Sequence, residues 1–349
     1  MAVFKDDRTG NWKIKAYYND WTGERRQLQK KGFTTKREAA AYERNFLEKE
    51  AKQSDILFKN FVENYFDDMK TRIRKTSLDH KERIINLKIL PYFENKPLNK
   101  ITPQDIRKWQ SVWLDTEYSP AYLRSIHAQL SALFNYAVRY YNLTTNPAKV
   151  AGVMGKDKFG EMSIWTIEEF EQFISALKKP EHTIMFKVLF WTGIRSGELL
   201  ALTKKDIKSD RICVNKTFTV LGKEKIINPP KTPKSNREVT IPQFLHDDLQ
   251  SYIGSIYGLK ANDRIFPYTR AKLYKIIHKY AIKAGVKEIR THDLRHSHAS
   301  MLIEKGYNVL LVAERLGHEN PDVTLNTYSH LYPNKQEQLA DDLQKIKEG

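Results

Sequence analysis

The sequence predicts a multidomain chain, mainly α with small β elements: a small three-stranded sheet plus one helix, then an all-helical segment, then a mixed α/β segment. Three observations lead there. At 349 residues the chain exceeds the size that one hydrophobic core usually serves. The two-residue alternation of a half-buried strand is confined to the first 33 residues and to a stretch between Arg211 and Ile241. Elsewhere apolar residues recur at three- and four-residue spacing, with Pro and Gly as punctuation.

Residues 1–54 open with strands. In NWKIKAYY, Trp12, Ile14, Ala16 and Tyr18 alternate with Lys13, Lys15 and Tyr17, and RRQLQKKGF supplies a partner strand after the turn at Thr22-Gly23. Thr35 and Glu38 form a capping box for the helix that follows, with Ala39, Tyr42 and Phe46 on one face. The outward row of the sheet is then Lys13, Lys15, Tyr17, Arg25, Gln27, Gln29 and Lys31. Such a row suits either the major groove of DNA or plain solvent. Residues 55–150 read as helices, opened at Thr102-Pro103 and Ser119-Pro120 and closed at Asn146-Pro147. Leu123, Ile126, Leu130, Leu133, Phe134 and Ala137 form the buried stripe of the longest one. Residues 151–162, with three glycines and no periodicity, are expected to be a linker. Residues 163–349 combine helices with the strand-rich insertion RICVNKTFTV…KEKIINPPKTPKSNREVTI.

The net charge of +17 points to a polyanionic partner, and the excess is positive in 1–54, 55–150 and 163–349 alike. A basic tail on a neutral globule would concentrate it instead. The single cysteine, Cys213, excludes disulfides and cysteine-built metal sites. No apolar run approaches a membrane span and no signal pattern opens the chain, so a cytoplasmic protein is expected.

The stretch THDLRHSHAS gathers His292, Arg295, His296 and His298. As a metal cage it is poorly built, since residues at i and i+6 leave opposite sides of a helix and no H-E-x-x-H pattern is present. As an anion clamp it has a helix amino terminus, capped by Asp293 or Thr291, and the planar fork of Arg295. His296 and His298 are read as structural. Upstream, WTGIRSGELLAL sets Arg195 on a helix-opening turn with Glu198 one turn on. Downstream, LGHENPDVTLNTYSHL has Gly317 closing one helix, His318 beyond it, and Tyr328 in the next short helix among Thr324, Asn326 and Thr327, which is poor company for a core aromatic.

In their order and spacing, these strings resemble the tyrosine recombinase (phage integrase) family over residues 163–332, and more loosely before that. The resemblance implies an arm-type DNA-binding domain in 1–54, a core-binding domain in 55–150 and a catalytic domain in 163–349. It further implies an integrase of a prophage or integrative conjugative element. Its catalytic residues would be Arg195, Lys231, His292, Arg295, His318 and Tyr328. Lys234 stays open as an alternative to Lys231, and Glu198 would orient Arg195. Tyr328 would attack a phosphodiester to give a 3′-phosphotyrosine, with the arginines on the non-bridging oxygens, the lysine protonating the leaving oxygen and His292 assisting proton traffic. The expected partners are double-stranded DNA at core and arm attachment sites, three further copies in a synaptic homo-tetramer, and an excision or host bending factor. No cofactor and no metal are expected. The tail after Tyr328 carries Leu339, Leu343 and Ile346 at helical spacing, to dock on a neighbour or fold back. The competing readings are a type IB topoisomerase-like enzyme and a non-catalytic DNA-binding regulator or architectural protein.

Overall fold

A computed structural model describes residues 3–6, 9–19, 25–52, 56–155, 163–230, 233–328, 340 and 343–347. The chain divides into two compact units, residues 1–160 and 161–349.

The first unit begins with β1 (Val3–Lys5), β2 (Trp12–Asn19) and β3 (Arg25–Phe33), an antiparallel sheet in that order, followed by α1 (Lys36–Lys52). Ile14, Ala16 and Phe33 are buried together with Ala39 of α1, the amphipathic division that the alternation predicts. The register pairs Lys13 with Lys31, Lys15 with Gln29, Tyr17 with Gln27 and Asn19 with Arg25. Six of the seven outward residues thus form three cross-strand pairs, and Lys15, Tyr17, Gln27, Gln29 and Lys31 are exposed while Lys13 is half-buried. At Arg25 the backbone alone is described.

Next come α2 (Phe58–Arg72), α3 (Lys75–Ile84), a π-helical turn at Ile85–Ile89, α4 (Leu90–Phe93), α5 (Pro103–Leu114), α6 (Pro120–Tyr140) and α7 (Pro147–Ala151). Pro103, Pro120 and Pro147 each stand at the first helical position behind a capping Thr102, Ser119 or Asn146. Every residue of the predicted α6 stripe is buried. The linker expectation needs correction in its described part. Ala151 and Met154 are buried in the helical core, and Gln110 Nε2 donates to the Gly152 carbonyl at 2.7 Å. An apolar residue that follows a helix closely can still return to its core, which glycine content alone does not reveal.

The second unit holds α8 (Ile167–Ala176), α9 (Pro180–Thr192), α10 (Ser196–Leu199), β4 (Arg211–Val214), β5 (Thr217–Leu221), β6 (Glu224–Asn228), β7 (Arg237–Thr240), α11 (Gln243–Ser255), α12 (Arg270–Ala284), α13 (Asp293–Glu304), α14 (Val309–Leu316) and α15 (Asp322–Tyr328). The strands form two antiparallel pairs, β4 with β7 and β5 with β6. Helix α9 is apolar on nearly every side, because it runs through the middle of the core and packs on α8, α11 and α13. Among the described residues no helix is long and apolar enough to cross a membrane.

Candidate active site

Two helices end in the same way, and the site is built from their ends. Gly193 closes α9 with φ +67°, and Gly317 closes α14 with φ +69°. A β-carbon at Gly193 would lie 2.6 Å from the His298 ring, and one at Gly317 would lie 2.9 Å from Arg237 Cδ, so both conformation and space demand glycine. The left-handed turns deliver Arg195 two residues beyond one cap and His318 one residue beyond the other.

Arg295, on the first turn of α13 and buried, ties the two ends together. Its Nη1 donates to the Gly193 carbonyl at 2.8 Å and its Nη2 to the Leu316 carbonyl at 2.6 Å. A guanidinium serves here because it offers two donors in a rigid plane to carbonyls that carry the negative ends of helix dipoles. Burial, then Arg195 and Arg237, pull its pKa below the usual arginine range, with Glu198 opposing. It remains protonated at neutral pH.

Glu198 is buried between two cations. Its Oε1 lies 2.9 Å from Arg195 Nη1, its Oε2 accepts from the Arg195 backbone N–H at 2.9 Å, and Arg237 Nη2 stands 3.1 Å from Oε2. Burial pushes this carboxyl up, but Arg237 and then Arg195 outweigh it and leave the pKa below the usual carboxylate range.

Tyr328 is 1% exposed and packs against Ala299, Ile303, Val312 and Leu316. This corrects the expectation drawn from its polar neighbours: α15 leaves Asn326 exposed but sends Tyr328 inward together with the equally buried Thr324. Its hydroxyl lies 2.6 Å from Nδ1 of His296, and burial raises the phenol pKa well above its ordinary value, against the pull of Arg295. His318 Nδ1 and the Thr324 hydroxyl are 2.7 Å apart. His292 stands edge-on to His296, with ring centroids 5.1 Å apart. The helix cap also differs from expectation. Neither Asp293 nor Thr291 caps α13; His292 is the flanking residue without a side-chain cap, and the Asp293 carboxylate turns back onto Arg290, 2.8 Å from its Nη2.

The histidines of the site are held neutral. His292 and His318 are each pulled down to about 4, by burial first and then by the surrounding cations and His296. His298 falls to about 3 through burial and Arg315. A histidine with a depressed folded pKa costs nothing above its unfolded value of about 6.5, where neither state binds the proton. Below that the unfolded chain protonates first, so stability falls with pH until the folded pKa is passed. The melting temperature is therefore expected to drop steadily from about pH 6.5 towards pH 4. Calorimetry across that range checks it, and a flat profile would contradict the buried neutral histidines.

Of the predicted residues, Arg195, Glu198, His292, Arg295, His318 and Tyr328 lie in one neighbourhood: His292 feels Arg195 and Arg295, His318 feels Arg195, Arg295 and Arg237, and Tyr328 feels Arg295. Lys231 lies outside the described residues. Lys234, the alternative, donates to the Glu319 carbonyl at 3.1 Å, one residue beyond His318. In the tail, Leu343 and Ile346 are exposed, and Leu339 lies outside the described residues. His298 is structural as expected, with Arg315 Nε 3.0 Å from its Nε2. The sequence reading missed Arg237, whose one signal is a basic residue on the inward register of the V-T-I strand. It also missed Arg270, packed against Gly197 within the field of Glu198. The contact between His296 and Tyr328 had no signal in the sequence at all.

Comparison with known proteins addresses the chain as a whole. The sequence profile of the phage integrase family matches residues 165–335, that of the family's N-terminal SAM-like domain residues 57–114, and that of an arm DNA-binding domain residues 3–50. The ICEBs1 integrase of Bacillus subtilis (strain 168) is 32% identical over 337 residues, covering 90% of this chain and 91% of its own. The integrase of Mycobacterium phage L5 is 23% identical over 339 residues, covering 93% and 86%. Among solved structures, the Tn1549 transposon integrase in complex with circular intermediate DNA shares the fold with a TM-score of 0.70, at 20% identity over 81% of this chain and 98% of that one. A lambda integrase tetramer bound to a Holliday junction gives 0.59, at 18% identity over 91% and 89%. With a relative 32% identical along nine-tenths of its length, the chain belongs to the phage integrase family and is a tyrosine site-specific recombinase.

Proposed function

We propose that this recombinase integrates and excises a mobile genetic element through a covalent 3′-phosphotyrosine at Tyr328. The observation that carries the proposal is that Arg195, Arg295, His292 and His318 lie in one another's fields, and that Arg295 also acts on Tyr328. Arg195 and Arg295 take the non-bridging oxygens of the scissile phosphate, where negative charge grows in the transition state. His318, oriented by Thr324, donates to the same phosphate. Glu198 holds Arg195 in place. Lys231 protonates the departing 5′ oxygen, and the covalent link conserves the energy of the broken bond for rejoining. Because the hydroxyl is covered, DNA reaches it only after the covering residues shift.

Residues 1–54 read arm sites, residues 55–150 read the core site with Ala151 and Met154 packed into the same core, and residues 163–349 carry the catalytic residues. Supporting the first assignment, Lys13 and Lys31 face each other across the sheet beside the exposed Lys15, with the Asp6 carboxylate 4.0 Å from Lys31 Nζ as a counter-charge, so the row remains net basic. Four copies assemble on two duplexes in the cytoplasm, aided by an excision or bending factor.

A nicked suicide duplex carrying the element's own attachment site tests the reading. The unmodified protein is expected to form an adduct that survives SDS, and mass spectrometry places the nucleotide on the peptide containing Tyr328. Specific binding without any adduct would leave a DNA-binding regulator. Relaxation of supercoiled plasmid lacking the site would favour a topoisomerase-like enzyme.

A further inference from the structure

We propose that His296 is the group that receives the phenolic proton when Tyr328 attacks DNA. This rests on the reading of Tyr328 as the nucleophile. Two histidines lie near the phenol, and geometry separates them. Nδ1 of His296 is 2.6 Å from the Tyr328 hydroxyl, with ring centroids 5.9 Å apart. Among the described residues that hydroxyl has no other hydrogen-bond partner. His292 touches His296 edge-on and has no hydrogen bond to the tyrosine. It lies against the His296 ring and feels both Arg295 and Arg195.

The environment gives His296 the required form. Around it stand Asp293 and Arg295 on α13, Arg290 and His292 just before that helix, Tyr328 on α15, and the charge field of His318 beyond α14. Burial, with Arg290 and Arg295, keeps the ring neutral, while Asp293 alone favours its charge. A neutral imidazole whose Nδ1 faces a hydroxyl accepts from it, and its proton then resides on Nε2. The step balances: the proton passes from Oη to Nδ1, the phenolic oxygen bonds to phosphorus, the bond from phosphorus to the 5′ oxygen breaks, and that oxygen takes its proton from a lysine ammonium. Asp293 steadies the imidazolium, and rejoining returns the proton to Oη.

The position of His296 immediately after Arg295 has a further use. One residue fixes the phosphate and the next fixes its attacker, so a single rigid turn of helix sets the distance between them.

The test compares wild type, His296→Asn, His296→Gln and His296→Ala in single-turnover adduct formation, on a nicked phosphodiester and on its 5′-bridging phosphorothiolate. A thiolate leaves without a proton, so the second substrate relieves a missing acid but not a missing base. Asn and Gln keep a hydrogen-bonding amide near the hydroxyl but accept no proton. All three variants are expected to bind DNA as wild type does and to lose roughly 10²–10⁴-fold in rate on both substrates. Wild type is expected to slow as pH falls through the folded pKa of His296, which burial sets below the ordinary imidazole value, and Asn and Gln to lack that limb. Rates in Asn or Gln within about threefold of wild type would overturn the proposal, leaving His296 only to hold the ring. So would rescue by the phosphorothiolate, or a wild-type rate without an acidic limb, which needs no variant to fold. If wild type forms no adduct on either substrate, the assignment of Tyr328 fails instead.

Discussion

Replacing Tyr328 by phenylalanine is expected to abolish strand cleavage while leaving DNA binding unchanged. Enzymes that lose their nucleophile fall by about 10⁶ in rate, because the remaining groups have nothing to activate. Here Arg195 and Arg295 would still grip the phosphate, so the variant should accumulate on its site uncleaved. The fold should hardly notice. Phenylalanine keeps the ring that packs on Ala299, Ile303, Val312 and Leu316, and the loss is one hydrogen bond to His296, about 1 kcal/mol. For a unit of this size that lowers the melting temperature by roughly 2–4 °C. Adduct gels, mobility shifts and a thermal scan read all three quantities. A variant that still forms an SDS-resistant adduct would mean another residue is the nucleophile.

The second large effect is expected at Glu198→Ala, and on stability as well as rate. The carboxylate is buried between Arg195 and Arg237, and removing it leaves two guanidiniums facing each other without a counter-charge. Breaking a buried pair from one side typically costs about 3–5 kcal/mol. Cleavage should fall too, since Arg195 loses both the ion pair and the backbone contact that fix its turn. Glu198→Gln retains volume and part of the hydrogen bonding, so its loss should be smaller. A thermal scan showing Glu198→Ala within about 1 kcal/mol of wild type would mean the arginines swing into solvent instead.

Much of this was legible in the residues. Strands β2 and β3 follow from alternation alone, and α5, α6 and α7 begin where a capping residue meets proline. Arg195, Arg295 and His318 were readable because each follows a glycine turn or opens a helix, features with local chemistry. What escaped depends on distant chain segments meeting. Helical spacing places His296 and Arg295 side by side but does not say that α15 returns to His296. The polar neighbours of Tyr328 disguised its burial, because a seven-residue helix shows too few turns for its inward side to be recognised. Asp293 looked like a cap by type, yet Arg290 offered its carboxylate a stronger partner. The resemblance assigned Glu198 to Arg195, whereas its second cation, Arg237, comes from a strand 39 residues away.

Arg195, Arg237 and Arg295 are gathered within the field of one carboxylate, Glu198. Each of these cations lies in the field of the others, so the folded protein holds a standing repulsion that Glu198 only partly cancels. A phosphate seated there would add a second counter-charge, so the native state should melt higher when one is bound.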